Sequence, residues 1–137
     1  MRIVNMGAVF DDFSIRYRLA NISSILQLSA DTERSVSGTT GNVKQFRIFM
    51  PGVVRVDFEL RSSTTSHVET MFELGGINAM VGRTNNTIYT PFSVIFPSSI
   101  DALLNINLSA PVGTTAFIRN VRIFFSIENW LPRVLLD

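Results

Sequence analysis

The sequence predicts an all-β protein, an antiparallel β-sandwich of eight or nine short strands. Three observations carry that expectation. Apolar and polar residues alternate in segment after segment. The cleanest case is residues 51–62, where Val54, Val56, Phe58 and Leu60 fall on one side and Arg55, Asp57 and Glu59 on the other. Period-two alternation marks a strand with one face on a core and one in water. Turn signals built from Gly, Pro, Asn, Ser and Thr recur about every 8–12 residues, and no helical period is sustained over two turns. That spacing belongs to a sandwich of the jelly-roll kind.

Taken in order, residues 13–19 alternate and predict a strand. Ile22, Ile25, Leu26 and Leu28 fit a short helical turn, and residues 25–28 fit a strand equally well. Residues 32–42, with Ser35, Ser37, Gly38, Thr39, Thr40 and Gly41, predict a loop. Residues 43–50 resume the alternation through Phe46, Ile48 and Met50, and Pro51-Gly52 then predicts a turn. A hairpin joining residues 43–50 to residues 53–60 is the expectation there.

Past a polar turn at residues 62–66, Val68, Thr70, Phe72 and Leu74 define the next strand, which Gly75-Gly76 separates from residues 77–82. Phe92, Val94 and Phe96 mark another strand, and Leu104, Ile106 and Leu108 one more. Pro111-Val112-Gly113 turns the chain into the last strand, residues 113–125. There Arg119 and Arg122 share a face only if one extra residue sits near Asn120, as a β-bulge provides.

The chain has 137 residues, enough for one domain, 1–137, to bury a core without metal or disulfide staples. A net charge of +1 gives no field for nucleic acid, so no nucleic-acid partner is expected. The basic residues are eleven Arg and one Lys, Lys44. Arg makes forked contacts to carboxylates and suits interfaces. Absence of cysteine excludes disulfides, thiolate nucleophiles and zinc–sulfur sites. The apolar stretch within residues 1–10 is too short for a signal peptide and runs into Asp11-Asp12. No stretch approaches the roughly 18 apolar residues of a membrane span. The expectation is a protein made in a cytoplasm and not embedded in a membrane.

Candidate chemistry is sparse. His67 lies at a turn-to-strand junction with no nucleophile to activate, which reads as an exposed loop histidine. Asp57 and Glu59 share a strand face about 7 Å apart, the kind of spacing a glycosidase pair or calcium site uses. Arg55 and Arg61 flank them, and the balanced reading is a solvated sheet surface. Asp11 and Asp12 with Asp31 or Glu33 lack the spacing of a calcium loop. Phosphate-loop, dinucleotide and His-Glu-x-x-His motifs are absent. No catalytic residue, cofactor or metal is expected, and the protein is expected not to be an enzyme. Phe at alternating strand positions reads as core, and the chain is poor in the Trp and Tyr of a sugar platform.

The strings from Ser29 through Ser35, Val43 through Ile48, Pro51 through Ser62, Tyr89-Thr90-Pro91-Phe92 and Gly113 through Ile123 carry a family resemblance. The chain resembles, over roughly residues 28–125, a β-sandwich module of tailed-bacteriophage virion proteins (decoration, tail and fibre chains). It departs from that pattern at Gly75-Gly76-Ile77-Asn78 and before residues 103–108. The resemblance implies a structural protein located in the virion, on the capsid or tail. Its partners would be other virion proteins and further copies of itself in a homo-oligomer. It implies no catalytic residues.

The segments expected to dock are residues 1–12 and 126–137. Trp130, Leu131, Val134, Leu135 and Leu136 form an apolar stretch that either folds back on its own sandwich or seats on a neighbour. Arg119 and Arg122, without acidic neighbours in sequence, mark the last strand as the expected contact edge. The alternative reading is a carbohydrate-binding or host-receptor-binding module, which shares the architecture.

Overall fold

A computed structural model describes residues 13–20, 23–48, 52–98 and 102–126. Among them the alternating segments form ten strands and no helix: β1 (Phe13–Ala20), β2 (Ser23–Ala30), β3 (Arg34–Ser37), β4 (Thr40–Ile48), β5 (Gly52–Ser62), β6 (Val68–Leu74), β7 (Ile77–Thr84), β8 (Thr90–Ser98), β9 (Ala102–Ser109) and β10 (Thr115–Ser126). No helix among the described residues is long and apolar enough to cross a membrane.

Two antiparallel sheets face each other. The first runs β1-β2-β10-β5-β8, with β3 also paired to β10, and the second runs β4-β9-β6-β7. The protein is therefore an all-β sandwich, as the alternation predicts. Its core is the inward half of that alternation. Val54, Val56, Phe58 and Leu60 of β5, with Ala116, Ile118, Val121, Ile123 and Phe125 of β10, meet Phe46 and Ile48 of β4, Val68 and Phe72 of β6 and Leu104, Ile106 and Leu108 of β9. Phe58 joins the layers: its ring centroid is 5.8 Å from Phe72 across the sandwich and 5.4 Å from Phe92 on its own sheet.

Two local expectations are corrected and one open alternative is resolved. Residues 43–50 and 53–60 are not a hairpin. Their described parts, β4 and β5, lie in different sheets, β4 pairing with β9 and β5 with β10 and β8. Alternation specifies which face of a strand is buried but is blind to which sheet receives it, so a turn signal between two strands serves a sheet crossing equally well. The predicted loop at residues 32–42 contains β3 and the start of β4, since Val36 and Val43 supply enough apolar surface to hold short strands. The ambiguous residues 25–28 are strand, fixed by pairing on both sides.

By contrast, Gly75-Gly76 is the two-residue turn of a tight hairpin, with Leu74 opposite Ile77. Both glycines have positive φ, 59° and 82°, as a turn matched to the right-handed twist of strands requires. Among the described residues β8 is an edge strand, and it carries Pro91 and Pro97. Prolines are accommodated there because alternate N–H groups of an edge strand have no partner strand. Lys44 is fully buried, because the bulge between Asn42 and Lys44 turns both Val43 and Lys44 inward. Its Nζ donates to the Thr32 carbonyl at 3.0 Å.

Candidate binding groove

The outer face of the first sheet is organised by the bulge in β10. Between Arg119 and Arg122 the register against β5 shifts, so that Asn120 and Val121 together oppose Phe58. Val121 takes the buried position and Asn120 becomes the extra residue, at φ 52°. Asn is among the few residues with a side chain that tolerate this left-handed conformation. On the far side of β10 the chain passes from β2 to β3 at the same level, and the Asn120 N–H donates to the Asp31 carbonyl at 3.2 Å. Both arginines thereby point outward, as the sequence predicts.

Their surroundings differ from the expectation. β10 is flanked by β2 and β3 on one side and β5 on the other, so Arg119 and Arg122 belong to a sheet face and not to an edge. Nor are they without acidic partners. Arg119 Nε donates to Glu59 Oε1 at 2.7 Å, and Arg122 Nε to Asp31 Oδ1 at 3.3 Å. Sequence distance hid both pairs, which are 60 and 91 residues apart. Exposed pairs of this kind contribute little to stability. Their consequence is orientation more than stability.

A groove of about 360 Å³ opens beside the bulge. Its walls are Asp57, Glu59, Ser93, Asn120 and Arg122, with Pro91 and Phe124 as apolar surfaces and Phe58 and Phe92 beneath. The polar groups are held in place. Asn120 Nδ2 donates to Glu59 Oε1 at 3.2 Å, Ser93 Oγ to Asp57 Oδ1 at 2.7 Å, and Arg55 Nη2 pairs with Asp57 Oδ2 at 3.2 Å. Glu59 Oε2 and Asn120 Oδ1 accept no hydrogen bond from a described residue. Planar donors and acceptors thus line one side of a concave surface with apolar walls, the make-up of a small-molecule site.

Aromatic rings extend the face on both sides, each beneath a guanidinium. Arg61 lies 3.8 Å from the Phe117 centroid, Arg119 3.9 Å from Tyr89, and Arg55 4.3 Å from Phe124. Phe117 and Phe124 face outward, against the expectation that strand phenylalanines are core. Their parity with Arg119 and Arg122, read across the bulge, is the sequence signal that places them. Nothing in the sequence places Tyr89 against Glu33, 56 residues away, to which its hydroxyl donates.

Burial, and then the Glu33 hydrogen bond, raise the Tyr89 pKa from 10.0 to about 12. The neutral phenol is therefore favoured in the folded state. Its contribution to stability is complete below pH 10 and is lost as the pH rises from 10 towards 12. Tyr89→Phe should flatten the fall in urea midpoint over that window relative to the parent protein. Parallel curves for the two proteins would contradict the assignment.

The other sequence candidates are dispersed. His67 is exposed in the turn before β6. Asp31 and Glu33 flank the β2–β3 passage, engaged by Arg122 and Tyr89 respectively. Asp11, Asp12, Trp130, Leu131, Val134, Leu135 and Leu136 lie outside the described residues. Among the described residues no cluster of three or more His, Asp or Glu side chains forms a metal site. The outer face of the second sheet is a ladder of amides: Asn42 Nδ2 donates to Asn107 Oδ1 at 3.1 Å, Gln45 to Asn105, and Asn105 Nδ2 to Glu73 Oε1 at 3.0 Å.

No protein-family profile matches the chain. No curated protein matches it either. Solved structures do. The CBM36-1 domain of a multidomain xylanase from the hindgut metagenome of Trinervitermes trinervoides superposes with a TM-score of 0.51 at 11% identity, covering 88% of this chain and 90% of that domain. The CBM22-1 xylan-binding domain of Paenibacillus barcinonensis Xyn10C gives 0.47 at 10% identity, covering 87% and 85%. A chain of the infectious bursal disease virus Gx strain gives 0.46 at 13% identity, covering 78% of this chain and 32% of the viral one. At these identities the first of them supports the jelly-roll sandwich fold and nothing finer.

Proposed function

We propose that the protein is a non-enzymatic carbohydrate-binding module that reads a short, neutral glycan in the groove beside Asn120. The observation that carries this reading is the groove itself. A sugar ring presents hydroxyls around its rim and C–H groups on its faces. Asp57, Glu59, Asn120 and Arg122 offer planar hydrogen-bonding groups to the first, and Pro91 and Phe124 offer apolar surface to the second. These side chains stand on adjacent strands of one sheet and are pre-positioned by each other, which lowers the ordering cost of binding. Carboxylates and guanidinia are paired across the face, which suits an uncharged ligand.

The test is isothermal titration against a panel of soluble neutral oligosaccharides, beginning with β-linked xylose and glucose oligomers. Saturable binding at micromolar to low-millimolar concentration is expected. Arg122→Ala and Asn120→Ala should each weaken it at least tenfold, with far-UV circular dichroism unchanged. Absence of binding across the panel would overturn the reading. If the protein instead assembles into defined oligomers or seats on virus particles, the reading as a structural virion protein replaces it.

A further inference from the structure

The groove beside Asn120 opens at one end onto a different kind of surface. Residues two apart on a strand share a face about 7 Å apart, so the outer face of the first sheet can be followed away from the bulge row by row. In the groove Asp57 stands opposite Ser93 and Arg122. One row on, Arg55 stands between Ile95 of β8 and Phe124 of β10, and beyond it Val53 stands opposite Pro97. Apart from Arg55, these side chains are apolar. Ile95 is 67% exposed and Val53 49%, and Pro97 is exposed with them.

Single apolar residues are ordinary on a protein surface, but adjoining ones beside a binding groove call for an occupant. Arg55 does not break the strip. Its Nη2 pairs with Asp57 Oδ2 at 3.2 Å, and its guanidinium carbon lies 4.3 Å from the Phe124 centroid. Its charge is thereby drawn toward the groove and β10, away from Ile95. Phe124 belongs to both regions, as a wall of the groove and as the neighbour of Arg55 in the apolar row. A ligand held at Asn120 and Arg122 with one end over Phe124 therefore leaves the groove onto hydrocarbon.

We propose that the groove takes a neutral glycan carrying an apolar substituent, an aryl or short alkyl group, which lies on Phe124, Ile95 and Val53. This rests on the glycan reading of the groove. Size decides the class of occupant. The strip covers two rows and two strand spacings, about 7 Å by 10 Å. A stable protein interface needs roughly 800 Å² per partner, so the strip suits one small group and not a protein surface. A bare oligosaccharide leaves it wet, whereas an apolar group removes it from water, which is favourable in proportion to the area covered.

The test titrates the full chain with a matched pair, the methyl and the 4-nitrophenyl glycoside of one β-linked neutral disaccharide. The 4-nitrophenyl member is expected to bind at least tenfold tighter, with a more negative heat-capacity change. Ile95→Thr keeps a β-branched residue on the strand and should erase that advantage while the methyl glycoside binds unchanged. Asn120→Ala should weaken both members alike. Equal affinity for the two members overturns the proposal and leaves the glycan reading standing, as does an advantage that Ile95→Thr leaves intact. Aryl glycoside binding that ignores Asn120→Ala marks a separate apolar site and also overturns it. Binding by neither member overturns the glycan reading and the proposal together.

Discussion

Replacing Phe58 by alanine is expected to remove about 3–5 kcal/mol of folding stability. Set against the roughly 5–15 kcal/mol that holds a domain of this kind together, this is a large share of the total, and the denaturation midpoint should fall steeply. The size follows from where the ring sits. Phe58 is 2% exposed, stacks on Phe92 with 17° between ring planes and meets Phe72 across the sandwich. Gly82 of β7 also leans on it: a Cβ built there would lie 3.0 Å from the Phe58 ring. Neighbours so closely fitted, including backbone, cannot collapse into the space alanine would leave. Chemical denaturation followed by circular dichroism measures the loss. A value below about 1 kcal/mol would show that the interior relaxes freely. Because Phe58 also lies beneath the groove, Phe58→Leu, which retains most of the volume, should weaken glycan binding more than its modest stability loss implies.

Asn120→Val is the second large effect, expected to cost about 2 kcal/mol. Roughly 1–2 kcal/mol comes from forcing a β-branched residue to a left-handed φ, with a further contribution from the lost amide hydrogen bond to Glu59. Asn120→Gly separates the two terms. It accepts the conformation and loses only the side chain, so it should cost less than half as much while weakening groove binding comparably. Equal stability losses for Gly and Val would mean that backbone conformation is not what Asn120 supplies. Thermal midpoints and titrations on the same two variants decide this.

These two residues also mark what the sequence displays and what it conceals. The inward position of Phe58 follows from its parity with Val54, Val56 and Leu60, because period two is imposed by the backbone itself. The bulge at Asn120 was legible for the same reason: two arginines an odd number of residues apart cannot share a face of a regular strand. What alternation cannot convey is partnership. Nothing local indicates that β4 and β5 part company into different sheets. Nor does anything local reveal that Arg122 meets Asp31, or that Tyr89 meets Glu33. Those pairings are set by chain topology over 56 to 91 residues. Lys44 is a different case. It shares parity with Phe46 and Ile48, and the bulge before it keeps it inward, but its charge argues for the outside. The Thr32 carbonyl reverses that argument. The groove was half legible: its carboxylates and arginines stood out as a charged face, while its concavity came from the bulge acting together with β8.

The two prolines of β8 have a further consequence, for the behaviour of the protein in crowded solution. An open sheet edge is a template on which another molecule can extend the sheet, and a long, flat, apolar edge invites fibrillar growth. Ile95 is 67% exposed on this strand, so the invitation is present. Pro91 and Pro97, six residues apart, each withhold a backbone donor and fix a dihedral angle. An incoming strand would meet gaps at both ends of any ladder it began. The prolines thus act as gatekeepers that let an apolar side chain stay at the surface without seeding precipitation.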